Sequence, residues 1–253
     1  MSELDNFRVG VLASGDIKTG QGGSTVCRFA RDTLKGKVGL TVGVVVCNYP
    51  EDSTGVYSGI KAINDEFDLK GDDRIDVISI GPHYYPDGEQ KRGQTLTESS
   101  AICRLFEQRA IGLASMQGFT RILNGEFIEE WGWKPEYGIG DLNHNGIYHP
   151  KARIANNHPA ILPFAADTYG HGSHEMAVKL RKAGKIHHTA MTWHLAAAGV
   201  DTGPIIHEIP VPICEEDDAD AISRKVQAVE KDETSLVIAR HLILRTEHLR
   251  ANS

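Results

Sequence analysis

Runs of consecutive apolar residues, broken by glycine and by amphipathic stretches, organise the first half of the chain. "FRVGVLAS" (Phe7–Ser14) and "VGLTVGVVVCN" (Val38–Asn48) are apolar at successive rather than alternate positions, the pattern of strands buried on both faces of a parallel sheet. "DVISIG" (Asp76–Gly81) and "AIGLASMQGF" (Ala110–Phe119) read as a third and a fourth strand. Between them, helical spacing appears in "VCRFARDTL" (Val26–Leu34), "SGIKAINDEF" (Ser58–Phe67) and "TESSAICRLFEQRA" (Thr97–Ala110), the last with a cap and capping acid at its start. Strand, glycine loop, helix and strand together predict an α/β fold: a mostly parallel central sheet covered by helices in a three-layer, Rossmann-like arrangement.

The second half is less regular. Trp131–Arg153 carries four glycines, two prolines and no clear periodicity, so it reads as a loop insertion. After it come "RIANNHPAILP", a helix around "SHEMAVKLRKAG" (Ser173–Gly184) and two β-like runs, His187–Ala196 and Gly203–Ile213. The tail from Asp217 to Leu249 has helical spacing over much of its length.

Composition changes this picture little. At 253 residues, 40% hydrophobic and 24% charged, the chain suits one large domain with a sizeable core. A formal net charge of -7 argues against a nucleic-acid or acidic-membrane partner, while leaving room for a local basic pocket. Cys27, Cys47, Cys103 and Cys214 lie far apart with no CxxC pair and are expected as buried free thiols. The N-terminus lacks the pattern of a signal peptide, and no apolar run approaches the roughly 20 residues of a membrane span. A cytoplasmic protein is expected.

Four clusters could carry chemistry. The loop "GDIKTGQGGST" has the composition of an anion cradle: Gly22 and Gly23 allow close backbone approach, and Ser24 and Thr25 open a helix whose N–H groups favour a phosphate. It matches neither a P-loop nor GxGxxG, and a plain strand-to-helix turn explains it as well. "GDLNHNG" opens like a calcium loop, with Asp141, Asn143, Asn145 and Gly146, but Ala152 stands where the bidentate glutamate belongs; a turn-rich loop is the better reading. His171 and His174 in "HGSH" could face one way on a helix, yet a metal needs a third ligand that nothing nearby specifies. Asn156 and His158 alternate on an extended segment and so point to one side, where an amide and an imidazole could polarise a carbonyl and move a proton. Asp201 in the "VDTGP" turn is a candidate partner. On spacing alone, a polar loop with a satisfied histidine and a turn aspartate serves as well.

Longer stretches break that tie. "NNHPAILP", "YGHGSHEMAV", "TAMTWHLAAAGVDTGPII" and "DDADAISRKVQAVE", with "GLASMQGFTRIL" upstream, resemble the glycinamide ribonucleotide formyltransferases of the folate-dependent formyltransferase family. The likeness runs from about Phe7 to the final helices and is most specific from Asn156 to Pro204, a block shared by methionyl-tRNA, sugar-amine and deformylase relatives.

The resemblance implies a formyltransferase fold in one domain, 1–253, with a phosphate- and nucleotide-binding half (7–110) and a folate-binding, catalytic half (111–253). It implies transfer of a formyl group from 10-formyltetrahydrofolate, a co-substrate, to the amine of glycinamide ribonucleotide in purine synthesis, without a metal. Asn156, His158 and Asp201 are the implied catalytic residues: the amide and a protonated His158 donate to the developing oxyanion, and Asp201 orients the proton transfer. The implied folate site comprises Phe119, Arg121, Ile122, Leu123, Ala197, Ala198, Gly199, Val200 and Asp201, with much of the hold coming from backbone groups. Gly23, Ser24 and Thr25 would take the substrate phosphate, Glu230 its amine, and His194 a supporting role. The partners implied are small molecules, with the protein a monomer or weak homodimer.

The chain departs from the family pattern in its longer glycine loop, in Thr25 for the usual asparagine, in Thr120 for the usual methionine, and in the Trp131–Arg153 insertion. A sugar-amine formyltransferase is the near alternative, and a non-catalytic folate binder a more distant one. The chain's end soon after the Glu230 helix and its start near Phe7 weigh, as expectations, against the sugar-amine and deformylase branches.

Overall fold

Two uninterrupted apolar runs form the centre of the sheet. A computed structural model describes residues 7–15, 23–51, 54–81, 93–137, 151–162 and 171–251. In it β1 (Arg8–Ala13) lies between β2 (Thr41–Cys47) and β4 (Ile111–Gln117), parallel to both. β3 (Val77–Ser79) extends the sheet on one side and β5 (Ile154–His158) on the other, both parallel; β6 (His188–Leu195) and β7 (Ile205–Pro212) then add antiparallel. Among the described residues the strand order is β3-β2-β1-β4-β5-β6-β7. The chain winds outward from β1 to β3 and returns to start again at β4, so the direction of winding reverses between β1 and β4. Ligands in open α/β sheets bind at such a reversal, beyond the carboxyl ends of the strands.

Helices cover both faces. α1 (Ser24–Leu34), α2 (Gly55–Glu66), α5 (His171–Lys182) and α6 (Ala219–Ala251) pack over one face, where Val11, Val45, Ala155 and Trp193 meet Phe29, Ile60, Ala177 and Val226. α3 (Leu96–Gln108) and α4 (Gly125–Trp131) cover the other, where Leu12, Val44, Val46 and Ile154 meet Ile102, Phe106 and Trp131. Neighbouring valines of β2 thus enter different cores, which is why the run shows no polar alternation.

Three sequence expectations are revised. α3 starts at Leu96, with Thr95 as N-cap and Glu98 closing a capping box, because the Thr95 hydroxyl is placed to accept the Glu98 N–H. Trp131 is core rather than loop: it ends α4, packs 5.3 Å from the Phe106 ring and is fully buried. Arg153 lies over its indole at 3.6 Å, and the Arg153 N–H donates to the Trp131 carbonyl at 2.7 Å, so the two ends of the insertion meet at its base. Cys27 and Cys47 are buried free thiols, but Cys214, in the loop after β7, is exposed and Cys103 is half-buried. The calcium-like segment, Asp141 to Gly146, and Gly22 lie outside the described residues. No helix among the described residues is long and apolar enough to cross a membrane.

Candidate active site

β5 ends at the crevice with three polar residues in succession. Side chains alternate along a strand. Ile154 belongs to the α3–α4 core and Ala155 to the α6 core, so Asn156 and His158 face the first side and Asn157 the second. Antiparallel pairing with β6 sets Asn156 opposite His194. The Asn156 amide nitrogen lies 3.0 Å from His194 Nε2. His194 Nδ1 is 3.0 Å from the Leu195 carbonyl, which can only accept, so Nδ1 carries a proton and Nε2 is free to receive the amide N–H.

Asp201 reaches this pair from the turn between β6 and β7. Its Oδ2 is 3.4 Å from His158 Nδ1, while Oδ1 accepts from Asn156 Nδ2 at 3.2 Å and stands 3.3 Å from His194 Nε2. Three side chains therefore converge on one carboxylate. The turn is built for that delivery. Asp201 has φ 51°, a left-handed conformation that costs a non-glycine residue about 1 kcal/mol. Two residues on, a Cβ at Gly203 would stand 1.7 Å from the Leu195 carbonyl oxygen, so only glycine lets the turn lie against β6. Backbone strain beside a cluster of polar groups is a mark of a functional site.

The cluster opens into a cavity of about 470 Å³, within the range of small-molecule sites. Phe119, Leu123, Ile128, Met116 and Ala196 supply apolar wall, and residues 197–201 form its rim. The Arg121 side chain is fully buried: it donates to the Gly81 carbonyl at 2.7 Å and to the Gly93 carbonyl, and pairs with Glu98 at 3.0 Å. Its guanidinium holds the protein together, which leaves its backbone as the part available to a ligand. Ile122 is exposed, and its carbonyl accepts from Gln94 N–H. Thr120, the unexpected threonine, completes a polar knot at the strand ends. Ser14 Oγ donates to Asn48 Oδ1 at 2.5 Å and accepts from Thr120 N–H at 2.9 Å, and Asn48 Nδ2 is 3.4 Å from Thr120 Oγ1.

The same cavity reaches the other side of β5. Ser223, Gln227 and Glu230 line it from α6. Burial raises the Glu230 carboxyl above its ordinary range, against hydrogen bonds from Asn157 and Thr25. Thr25 thus turns its hydroxyl to Glu230 rather than outward. Gly23, at φ 73°, precedes α1, and among the described residues no side chain caps that helix, so its first N–H groups suit an anion. His174 is buried on α5 and borders the cavity; the side chain of His171 lies outside the described residues. Among the described residues no group of three His, Cys, Asp or Glu side chains is arranged to hold a metal. Asn157 is the polar residue that sequence reasoning passed over. Its only signal was its place between two candidates, on the opposite face of the strand.

Known proteins resemble this chain in sequence and in fold. Residues 142–238 match the family model for formyl transferase. The chain is 32% identical over 114 residues to a phosphoribosylglycinamide formyltransferase of Mycobacterium tuberculosis, a match covering 45% of this chain and 41% of that enzyme. It is 24% identical over 214 residues to a formyltetrahydrofolate deformylase of Synechocystis, covering 84% of this chain and 56% of the relative. The chain thus spans less than two thirds of the length of either. Its fold resembles the crystal structure of phosphoribosylglycinamide formyltransferase from Bacillus halodurans, with a TM-score of 0.65 at 21% identity over 93% of this chain and 95% of the other. The segment that carries Asn156, His158, His194, Asp201 and Glu230 is therefore the part of the chain that is similar to formyl transferases.

Proposed function

We propose that the protein transfers a formyl group from 10-formyltetrahydrofolate to the amine of glycinamide ribonucleotide. The observation that carries this reading is one cavity with two differently equipped sides: Asn156, His158 and Asp201 on one face of β5, and Glu230 on the other. The first side suits a carbonyl that becomes an oxyanion. The second suits an amine, because a carboxylate accepts its N–H.

In this reading the folate lies along Phe119, Leu123 and residues 197–201, and the nucleotide phosphate lies at the uncapped start of α1. Glu230 orients the amine nitrogen so that its lone pair meets the formyl carbon. As the new C–N bond forms, electrons move onto the carbonyl oxygen, toward which Asn156 and the His158 ring donate. Asn156 Nδ2 is shared with His194 and Asp201, so it exchanges one of these partners for the oxyanion. The bond from the formyl carbon to folate then breaks with its electron pair on the folate nitrogen. His158, held by Asp201, carries the proton that the amine loses to that nitrogen.

The test follows tetrahydrofolate release with glycinamide ribonucleotide present or absent. Release that depends on this amine supports the reading; release with a nucleotide-linked amino sugar alone would favour the related sugar-amine activity. The wider coverage of the deformylase relative favours one second reading, attack by water to give formate. Amine-independent release would establish it, and binding of folate without release of product would indicate a non-catalytic binder.

A further inference from the structure

Glu230 is a carboxylate set into the wall of a cavity, with the charge of Lys231 acting on it from the next position in the chain. Its hydrogen bonds come from neutral side chains. Asn157 Nδ2 lies 3.4 Å from Glu230 Oε1 and 3.2 Å from Thr234 Oγ1. The Thr234 hydroxyl gives its own proton to the Glu230 carbonyl, one turn back on α6, at 2.7 Å. That hydroxyl can therefore only accept from Asn157, which fixes which end of the amide faces Glu230. Thr25, from α1, supplies the other hydrogen bond to the carboxylate.

We infer that Asn157 is a positioning residue that holds the Glu230 carboxylate toward the acceptor side of the cavity, ready for the N–H groups of an amine. The inference deepens the proposed function and rests on it for the identity of the amine. Three observations converge on it. The alternation of β5 places Asn157 on the α6 face, away from Asn156 and His158, so a single strand serves both halves of the site. The amide is buried, and its Oδ1 finds no hydrogen-bond partner among the described residues. A leucine there would avoid that orphaned acceptor, so the fold gains nothing from the amide oxygen, and the amide's use lies in its nitrogen. Burial already pushes Glu230 toward its protonated form, and Asn157 opposes that push. A protonated Glu230 would offer a hydrogen to the amine instead of accepting one.

The test needs no substrate in its first arm. Glutamate carboxyls labelled with 13C are titrated by NMR in the wild type and in Asn157→Leu, with Glu230→Gln identifying the resonance. We expect Glu230 to titrate about one pH unit higher in Asn157→Leu. In the second arm, the acid limb of kcat/KM moves the same way, and KM for the amine rises about tenfold while folate affinity is unchanged. Asn157→Leu adds no further loss on top of Glu230→Gln. Asn157→Ala, which cannot clash, is expected to give the same titration shift. A Glu230 titration that is unmoved in both variants overturns the inference, as does an undiminished Asn157→Leu penalty in the Glu230→Gln background. A shifted titration in a protein that formylates no amine would instead leave Asn157 in place and remove the proposed function.

Discussion

At the scale of single residues, one carboxylate gathers three partners. Asp201 lies within 3.4 Å of His158, Asn156 and His194, so loss of its charge removes the group that orients His158 and Asn156. Asp201→Asn and His158→Ala are each expected to slow transfer by about a hundredfold or more while changing the affinity for folate little, since the proposed folate walls are mostly apolar side chains and backbone. Single-turnover rates beside equilibrium folate binding check this; variants near wild-type rate would remove both residues from the chemistry. His194 has a different task. It holds the Asn156 amide through Nε2, and its replacement by phenylalanine should weaken transfer less than loss of His158 does, which the same assay reads.

At the scale of elements, the turn between β6 and β7 and the clamp around Arg121 set the shape of the cavity. Gly203→Ala would drive a methyl group into the Leu195 carbonyl, 1.7 Å from where its carbon must sit. The turn must move, and Asp201 with it. We expect a loss of about 2 kcal/mol in urea denaturation together with a fall in kcat. Arg121→Met would leave Glu98 without its cation and two carbonyls without donors, for a loss of about 3 kcal/mol in the same experiment.

These elements were unequally legible in the sequence. β1, β2, β4 and the antiparallel pair stood out because apolar runs and β-branched residues leave a strong local pattern. α4 did not, because the seven residues "GEFIEEW" are too few to establish a helical period. The burial of Trp131 was hidden by the glycines and prolines that follow it. The side chain of Arg121 could not be assigned, since its partners lie 23, 28 and 40 positions away.

At the scale of the whole molecule, stability and the candidate site respond oppositely to pH. Asp32 ties α1 to α6 by accepting from Ser235 at 2.8 Å, and it also pairs with Arg28 and Lys37. Burial works to raise its carboxyl, but the hydrogen bonds from Lys37, Ser235 and Arg28 outweigh it and hold it below the usual value of 3.8. A lowered folded value contributes stability that is fully present above the unfolded value and is lost as pH falls through the folded one. Glu230 has the reverse sign: its raised value makes the ionised form a cost to the fold at higher pH. Asp32→Asn should therefore be less stable than wild type at neutral pH, with the gap closing in acid. Glu230→Gln should be more stable at pH 8, with the gain fading as pH falls. Urea unfolding from pH 3 to 8 measures both.

The candidate site was more legible than the fold's details, because residue types rather than periods carry it. Asn156, His158 and Asp201 stand out by residue type and spacing, the family resemblance gives them roles and adds His194 and Glu230, and the structure brings all five to one cavity. What it adds is that β5 divides them into two sides. The most direct test of that division is the fate of the carbon itself. Protein mixed with 10-formyltetrahydrofolate carrying 13C in the formyl group, together with glycinamide ribonucleotide, should place the label on the nucleotide's amine nitrogen as a formamide, detected by NMR. Label appearing only as free formate, or remaining on folate, would contradict the account.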